Sequence, residues 1–209
     1  MDEQGADQRA QGPWDESEAV DDGIERLDLG SLRVAPAPGI DVQVQVDEAS
    51  GQVGQLTFTR SDAAVQVQPY AAPRSGGLWD DVRGQIKSSI NSTGGLVEEA
   101  DGPFGIELRA QVKPADGSAG LQPARFTGIE GPRWFLRAVF LGAAARPGAA
   151  ADALEAMVRN LVVVRGGEAM PVGAPIPMSV PQGARPSAPE VPPAPPSPFE
   201  RGPELTETR

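Results

Sequence analysis

Arg133-Trp134-Phe135-Leu136-Arg137-Ala138-Val139-Phe140-Leu141 is the stretch whose reading decides the fold. Apart from its two arginines every residue is apolar, and the apolar residues fall on both alternating faces. A strand of that kind belongs in the middle of a sheet rather than at an edge. The elements on either side complete the architecture.

Upstream, Glu130-Gly131-Pro132 forms a tight turn, and Arg125 to Ile129 reads as the preceding strand. Phe104, Ile106, Leu108, Ala110 and Val112 alternate with Glu107, Arg109 and Gln111, a half-buried strand pattern. Turns are expected at Asp101-Gly102-Pro103 and Pro114-Ala115-Asp116-Gly117, and a short strand over Leu96 to Glu99. Earlier still, Leu78, Val82, Ile86 and Ile90 lie four apart, which places them on one face of a helix flanked by Trp79. Asp80 and Asp81 complement its dipole in the first turn, and Gly94-Gly95 ends it. Before the helix, valines at 42, 44 and 46, then Leu56 and Phe58, then Val65 and Val67, alternate with Gln and Thr. With turns at Asp47–Gly51 and Ser61-Asp62 they predict an antiparallel meander.

Downstream, Pro147 marks a helix start, and Leu154, Met157, Val158 and Leu161 give an i, i+3, i+4, i+7 stripe. Leu161 to Val164 switches to β-branched residues and closes the core as a strand. The pattern predicts a single α+β domain: an antiparallel sheet of about six or seven strands, with two helices packed mainly on one face. Residues 27–167 form this domain, opened by Leu27, Leu29 and Leu32. About 140 residues is an ordinary size for one domain and needs no disulfide or structural metal.

The flanks read differently. Residues 1–26 carry nine carboxylates against Arg9 and Arg26 and lack periodicity, so they are expected to be an acidic disordered arm. Residues 168–181 are expected to be extended, with Ile176, Met178 and Val180 able to dock on the domain. Twelve of the 22 prolines lie from Pro171 onward, so 182–209 reads as a disordered, proline-rich tail. A formal net charge of −11 does not supply the counterion release that drives nucleic-acid binding, so direct nucleic-acid contact is not expected. The acidic head reads as a solvated tail that aids solubility, with binding to a basic protein surface as the alternative. No signal peptide or membrane-spanning run is seen, and the absence of Cys gives no disulfide framework, so the chain reads as cytoplasmic.

The chain has no His and no Cys, which removes the commonest general bases, thiol nucleophiles and most transition-metal ligands. No serine can form a Ser-His-Asp arrangement, and Gly84 breaks the Ser-x-x-Lys pattern before Lys87. No catalytic residue, metal site or cofactor is predicted. Three candidates stand out. Arg125, Arg133 and Arg137, interleaved with Trp134 and Phe135, either cap sheet edges and pair with Glu107 and Glu130, or line a pocket or partner surface for an acidic group. Arg133, Phe135 and Arg137 are expected on one strand face. Ser75-Gly76-Gly77 before the first helix offers free amides to an anion. Trp14, the only aromatic in the acidic head, is a candidate partner anchor.

From Gly12-Pro13-Trp14-Asp15 to about Pro171 the chain resembles an actinobacterial family, domain of unknown function 3710. The resemblance rests on Leu27-Asp28-Leu29-Gly30-Ser31-Leu32, Ala72-Pro73-Arg74-Ser75-Gly76-Gly77-Leu78-Trp79, Gly102-Pro103-Phe104-Gly105 and Gly131-Pro132-Arg133-Trp134-Phe135-Leu136-Arg137. It brings no established activity and no catalytic residues, and the proline-rich end from Pro181 lies outside it. The order strands–helix–strands–helix–strand is also similar to the Mog1/PsbP-like architecture, a likeness that carries no function. The expected function is a non-catalytic cytosolic interaction or adaptor protein that binds a protein partner. The alternative is a small-ligand-binding domain with an Arg/aromatic-lined pocket.

Overall fold

The structure, a computed structural model, describes residues 11–19, 22–46, 53–114 and 120–179. The turns expected at 47–51 and 115–117, Val180 and the tail from 182 lie outside the described residues. Seven strands form one antiparallel sheet: β4 (Asp41–Val46), β5 (Val53–Arg60), β6 (Ala63–Ala71), β7 (Leu96–Gly102), β8 (Gly105–Val112), β9 (Gln122–Gly131) and β10 (Trp134–Gly142). Their spatial order is β4-β5-β6-β10-β9-β8-β7, so β10, the doubly apolar strand, is central as expected. A four-stranded sheet lies apart from it, built from β1 (Trp14–Asp15), β2 (Leu27–Asp28), β3 (Leu32–Val34) and β11 (Val162–Val163), in the order β1-β11-β3-β2. Two helices complete the described fold, α1 (Leu78–Ser92) and α2 (Ala149–Arg159), with one 3₁₀ turn at Ala143–Ala145.

The α+β class and the seven-stranded sheet agree with the sequence, but the helices do not share a face. On β10, Trp134, Leu136, Ala138 and Phe140 join a core with Leu154, Met157 and Val158 of α2 and with Leu32, Val34 and Val163 of the small sheet. Phe135, which alternates with them, stacks on Trp79 of α1 at 5.9 Å between ring centroids. Successive strand residues point to opposite faces, so α1 and α2 cover opposite sides of the sheet. This is what the two-sided apolar pattern of β10 requires. Gly128 makes the α1 contact possible: a Cβ there would lie 2.4 Å from the Trp79 ring and 2.5 Å from Phe135.

Three further expectations are corrected. Phe104 does not start a strand; with Pro103 it forms the tight β7–β8 turn, and its ring reaches the α2-side core. The Leu161–Val164 stretch does form a strand, but its Val162–Val163 joins the small sheet, where it runs parallel to β1. The head is not wholly an arm. Trp14 pairs with Val162 and Asp15 with Val163, while the Trp14 N–H donates to the Leu161 carbonyl at 2.9 Å. The charge density of residues 1–26 hid two residues that complete a sheet edge. At the other end, Ile176 and Met178 are buried, and Met178 bridges Gly30 and Val53.

Candidate functional site

The three arginines of the sequence cluster go to three different places. Arg125 on β9 is 2% exposed. Its guanidinium donates to Glu107 Oε2 at 3.1 Å, Glu155 Oε1 at 2.6 Å and the Ala144 carbonyl at 3.3 Å, and it lies 4.1 Å from the centroid of Phe140. Glu107 is itself 1% exposed and also accepts from Arg109. This is a buried charge cluster tying β8 and β9 to α2, and it leaves Arg125 no free face for a partner. Arg137 lies on the opposite, α1 side of the sheet. It donates to Gln68 at 3.1 Å and sits over the Tyr70 ring. Burial raises the Tyr70 pKa above the ordinary phenol value, and the Arg137 charge works against that rise.

Arg133 is not on a strand. It follows Pro132 in the two-residue turn between β9 and β10, with a left-handed φ of 64°. It therefore does not share a strand face with Phe135 and Arg137. Proline at the first turn position and a positive φ at the second define a type II turn, whose second position is normally glycine or asparagine. The Arg133 carbonyl accepts from Ala72 N at 2.9 Å and from Arg165 Nε at 3.1 Å.

The candidate anion site at the start of α1 is filled by the protein itself. The Gly77 N–H and the Trp79 N–H each donate at 2.9 Å to the two carboxylate oxygens of Glu130. Ser75-Gly76-Gly77 is thus a self-capped helix start and not an open anion site. Trp14 is part-buried at the β1 edge, held by its strand pairing; the sequence offered it as a partner anchor, and its backbone is committed to the domain.

Among the clefts formed by the described residues are two that composition and spacing did not reveal. The first, about 640 Å³, runs between β2 and the start of β4 and is lined by Leu27, Val34, Ala35, Ala37, Ile40 and Val42. Leu27 is 42% and Val42 38% exposed, with Ile24 at 48% nearby. Glu25, Arg26 and Asp28 form its rim, and Arg26 is already paired with Asp22 at 2.6 Å. β4 is a terminal strand of its sheet and β2 of the other, so the groove lies where two edges meet. Leu27, Leu29 and Leu32 were expected to open the core together; Leu29 and Leu32 are buried, but Leu27 faces the groove.

The second cleft, about 410 Å³, is bounded by Asp15, Glu16, Ser17, Pro132, Arg133, Arg165, Gly166 and Gly167. It joins the head, the β9–β10 turn and the segment after β11, three stretches far apart in sequence. Arg165 was missed because it lies beyond the last periodic residue. Among the described residues no group of three or more metal-ligating side chains occurs, and no helix is long and apolar enough to cross a membrane.

A family model described as a protein of unknown function (DUF3710) matches residues 12–187. The match reaches past Pro181, so the first residues of the proline-rich end fall inside the family unit. No curated protein matches the chain.

Proposed function

The chain belongs to the DUF3710 family, whose function is unknown, and from that premise we propose that it is a non-catalytic cytosolic interaction domain. Its docking surface is the groove between β2 and β4. The observation that carries this reading is the pair Leu27 and Val42, two large apolar side chains left substantially exposed on facing sheet edges. Isolated exposed apolar residues need no explanation, but a contiguous apolar groove rimmed by charge marks an interaction surface. β4 has β5 on one side and, among the described residues, no strand on the other. An extended partner segment can therefore add to its edge and place alternate side chains in the groove.

The rim selects the partner's charge. Glu25 and the nearby Asp41 are carboxylates, Arg26 is neutralised by Asp22, Asp28 lies 3.7 Å from Arg33, and the chain as a whole carries −11. The partner is accordingly an apolar, extended segment flanked by lysine or arginine. The test is an affinity pull-down from native lysate with the full chain and with Leu27→Glu and Val42→Lys variants. Both side chains are exposed enough for the fold to survive, and melting temperature checks that it does. Partners recovered by the wild-type chain should be lost from both variants. Undiminished recovery by folded variants would remove the groove from consideration.

A further inference from the structure

We propose that the cleft between Arg133 and Arg165 is a binding site for a phosphate-type dianion, separate from the β2–β4 groove. Arg133 and Arg165 line one cleft of about 410 Å³. Among the described residues neither guanidinium has a carboxylate partner. Arg165 spends two of its donors on backbone carbonyls, those of Arg133 at 3.1 Å and Glu168 at 3.2 Å. The two carboxylates that border the cleft take their donors from other residues, although Asp15, with only neutral donors, keeps its charge. Asp15 accepts from Ser17 N, Ser17 Oγ and Trp134 Nε1. Glu16 accepts from Arg33 at 2.6 Å.

Two like charges side by side repel, and in a chain with 29 carboxylates against 18 cationic side chains an unmatched pair of cations is not a matter of supply. Burial, and after it the Arg133 charge, lowers the Arg165 pKa from the ordinary arginine value, so the two groups feel each other. A bound dianion relieves that repulsion. Guanidinium forks match phosphate oxygens, and Gly166 and Gly167 form a wall with no side chain to keep a ligand from the backbone.

The backbone at Arg133 points the same way. A residue with a side chain is held at φ 64°, in a turn position where glycine would sit without strain. Backbone strain of this kind is retained where the side chain has a task. The main-chain roles of Arg133, accepting from Ala72 and Arg165, would be met equally by glycine. Only the guanidinium is specific to arginine.

The experiment follows from that difference. Inorganic phosphate is titrated calorimetrically into the full chain, with sodium chloride and sodium acetate at matched ionic strength as references. One phosphate should bind per chain, more tightly than either reference anion. Arg133→Gly should keep the melting temperature measured in chloride at or above that of the wild type, because the turn is relieved, and should weaken phosphate binding about tenfold or more. Arg165→Gln should weaken it similarly, which guards against a turn-specific effect of the first variant. Equal phosphate affinity in wild type and in folded Arg133→Gly would overturn the proposal. So would acetate binding as tightly as phosphate, or no phosphate binding beyond the chloride reference.

Discussion

The indole Nε1 of Trp134 donates a 2.8 Å hydrogen bond to Oδ2 of Asp15, a residue 119 positions earlier in the chain. Trp134 is fully buried and Asp15 is 8% exposed. A carboxylate from the acidic head thus reaches the central strand and satisfies its largest side chain, while Ser17 N and Oγ hold the other oxygen. Trp134→Ala should cost about 3–5 kcal/mol, the usual range for emptying an aromatic core position. Trp134→Phe keeps most of the volume but strands the carboxylate, and should cost about 1–3 kcal/mol. Denaturant midpoints of Trp134→Phe, Asp15→Ala and the double variant give the coupling; additive losses would show the bond to be energetically silent.

The same contact changes what removal of the head should do. Residues 1–19 include β1 and the Asp15 carboxylate, so their deletion uncovers Val162 and leaves the indole N–H without its acceptor. Melting temperature should fall by at least about 5 °C, since each kcal/mol shifts a chain of this length by roughly 2–4 °C. Deleting 188–209, beyond the family match, should leave it unchanged. A head deletion with wild-type melting behaviour would restore the view of residues 1–26 as an independent arm.

Arg125 and Glu107 are both nearly inaccessible to solvent, and breaking such a pair from one side leaves a buried charge unbalanced. Arg125→Met should therefore destabilise by about 3–5 kcal/mol. Removing the carboxylate as well, in Arg125→Met/Glu107→Leu, should recover a good part of the loss. A double variant no better than the single one would mean that Glu155 and Arg109, and not the central pair, carry the cluster.

Glu130 caps α1 from a different strand, accepting from Gly77 N and Trp79 N. Loss of a cap of this kind costs about 0.5–2 kcal/mol. Glu130→Ala should fall in that range. Hydrogen exchange in the first turn of α1 should rise with it while the β10 amides keep their protection; uniform exchange throughout the domain would contradict a local role.

Asp22 accepts two hydrogen bonds from Arg26 and one from the Ile24 N–H, and chiefly through Arg26 its pKa drops from 3.8 to about 2. A depressed carboxylate pKa stabilises the fold at pH above the unfolded value of 3.8, and that contribution disappears as pH falls through about 2. Carbon-detected NMR titration should place the Asp22 midpoint near 2. In Arg26→Ala it should return toward 3.8, and high salt should move the wild-type midpoint the same way because the pair is exposed. A midpoint that ignores both changes would assign the shift to the backbone bond.

Alternation and helical spacing are local properties, and they were enough to find the strands of the main sheet, both helices, and the central place of β10. The reading in which the arginines cap sheet edges or pair with Glu107 and Glu130 named Glu107 as a partner without saying for which arginine, and Arg125 takes it. The face chosen by each helix was not legible, because periodicity gives the apolar stripe of an element and not what that stripe meets. Glu130 shows the same limit: its charge was visible, but not that its carboxylate would fill the very helix start set aside for an external anion.

By itself, then, the sequence determined the α+β class, the order of the main-sheet strands and the two helices, and a chemistry without histidine or cysteine. Tertiary structure alone decided that Trp14 and Asp15 belong to the core's edge, that Leu27 meets Val42 across a groove, and that Arg133 meets Arg165 across a cleft. Two of those arrangements join residues far apart in the chain, and the third joins Leu27 and Val42 from different sheets. No repeat or local preference encodes them; they arise only when the two sheets are packed together by burial of Trp134 and the residues around it.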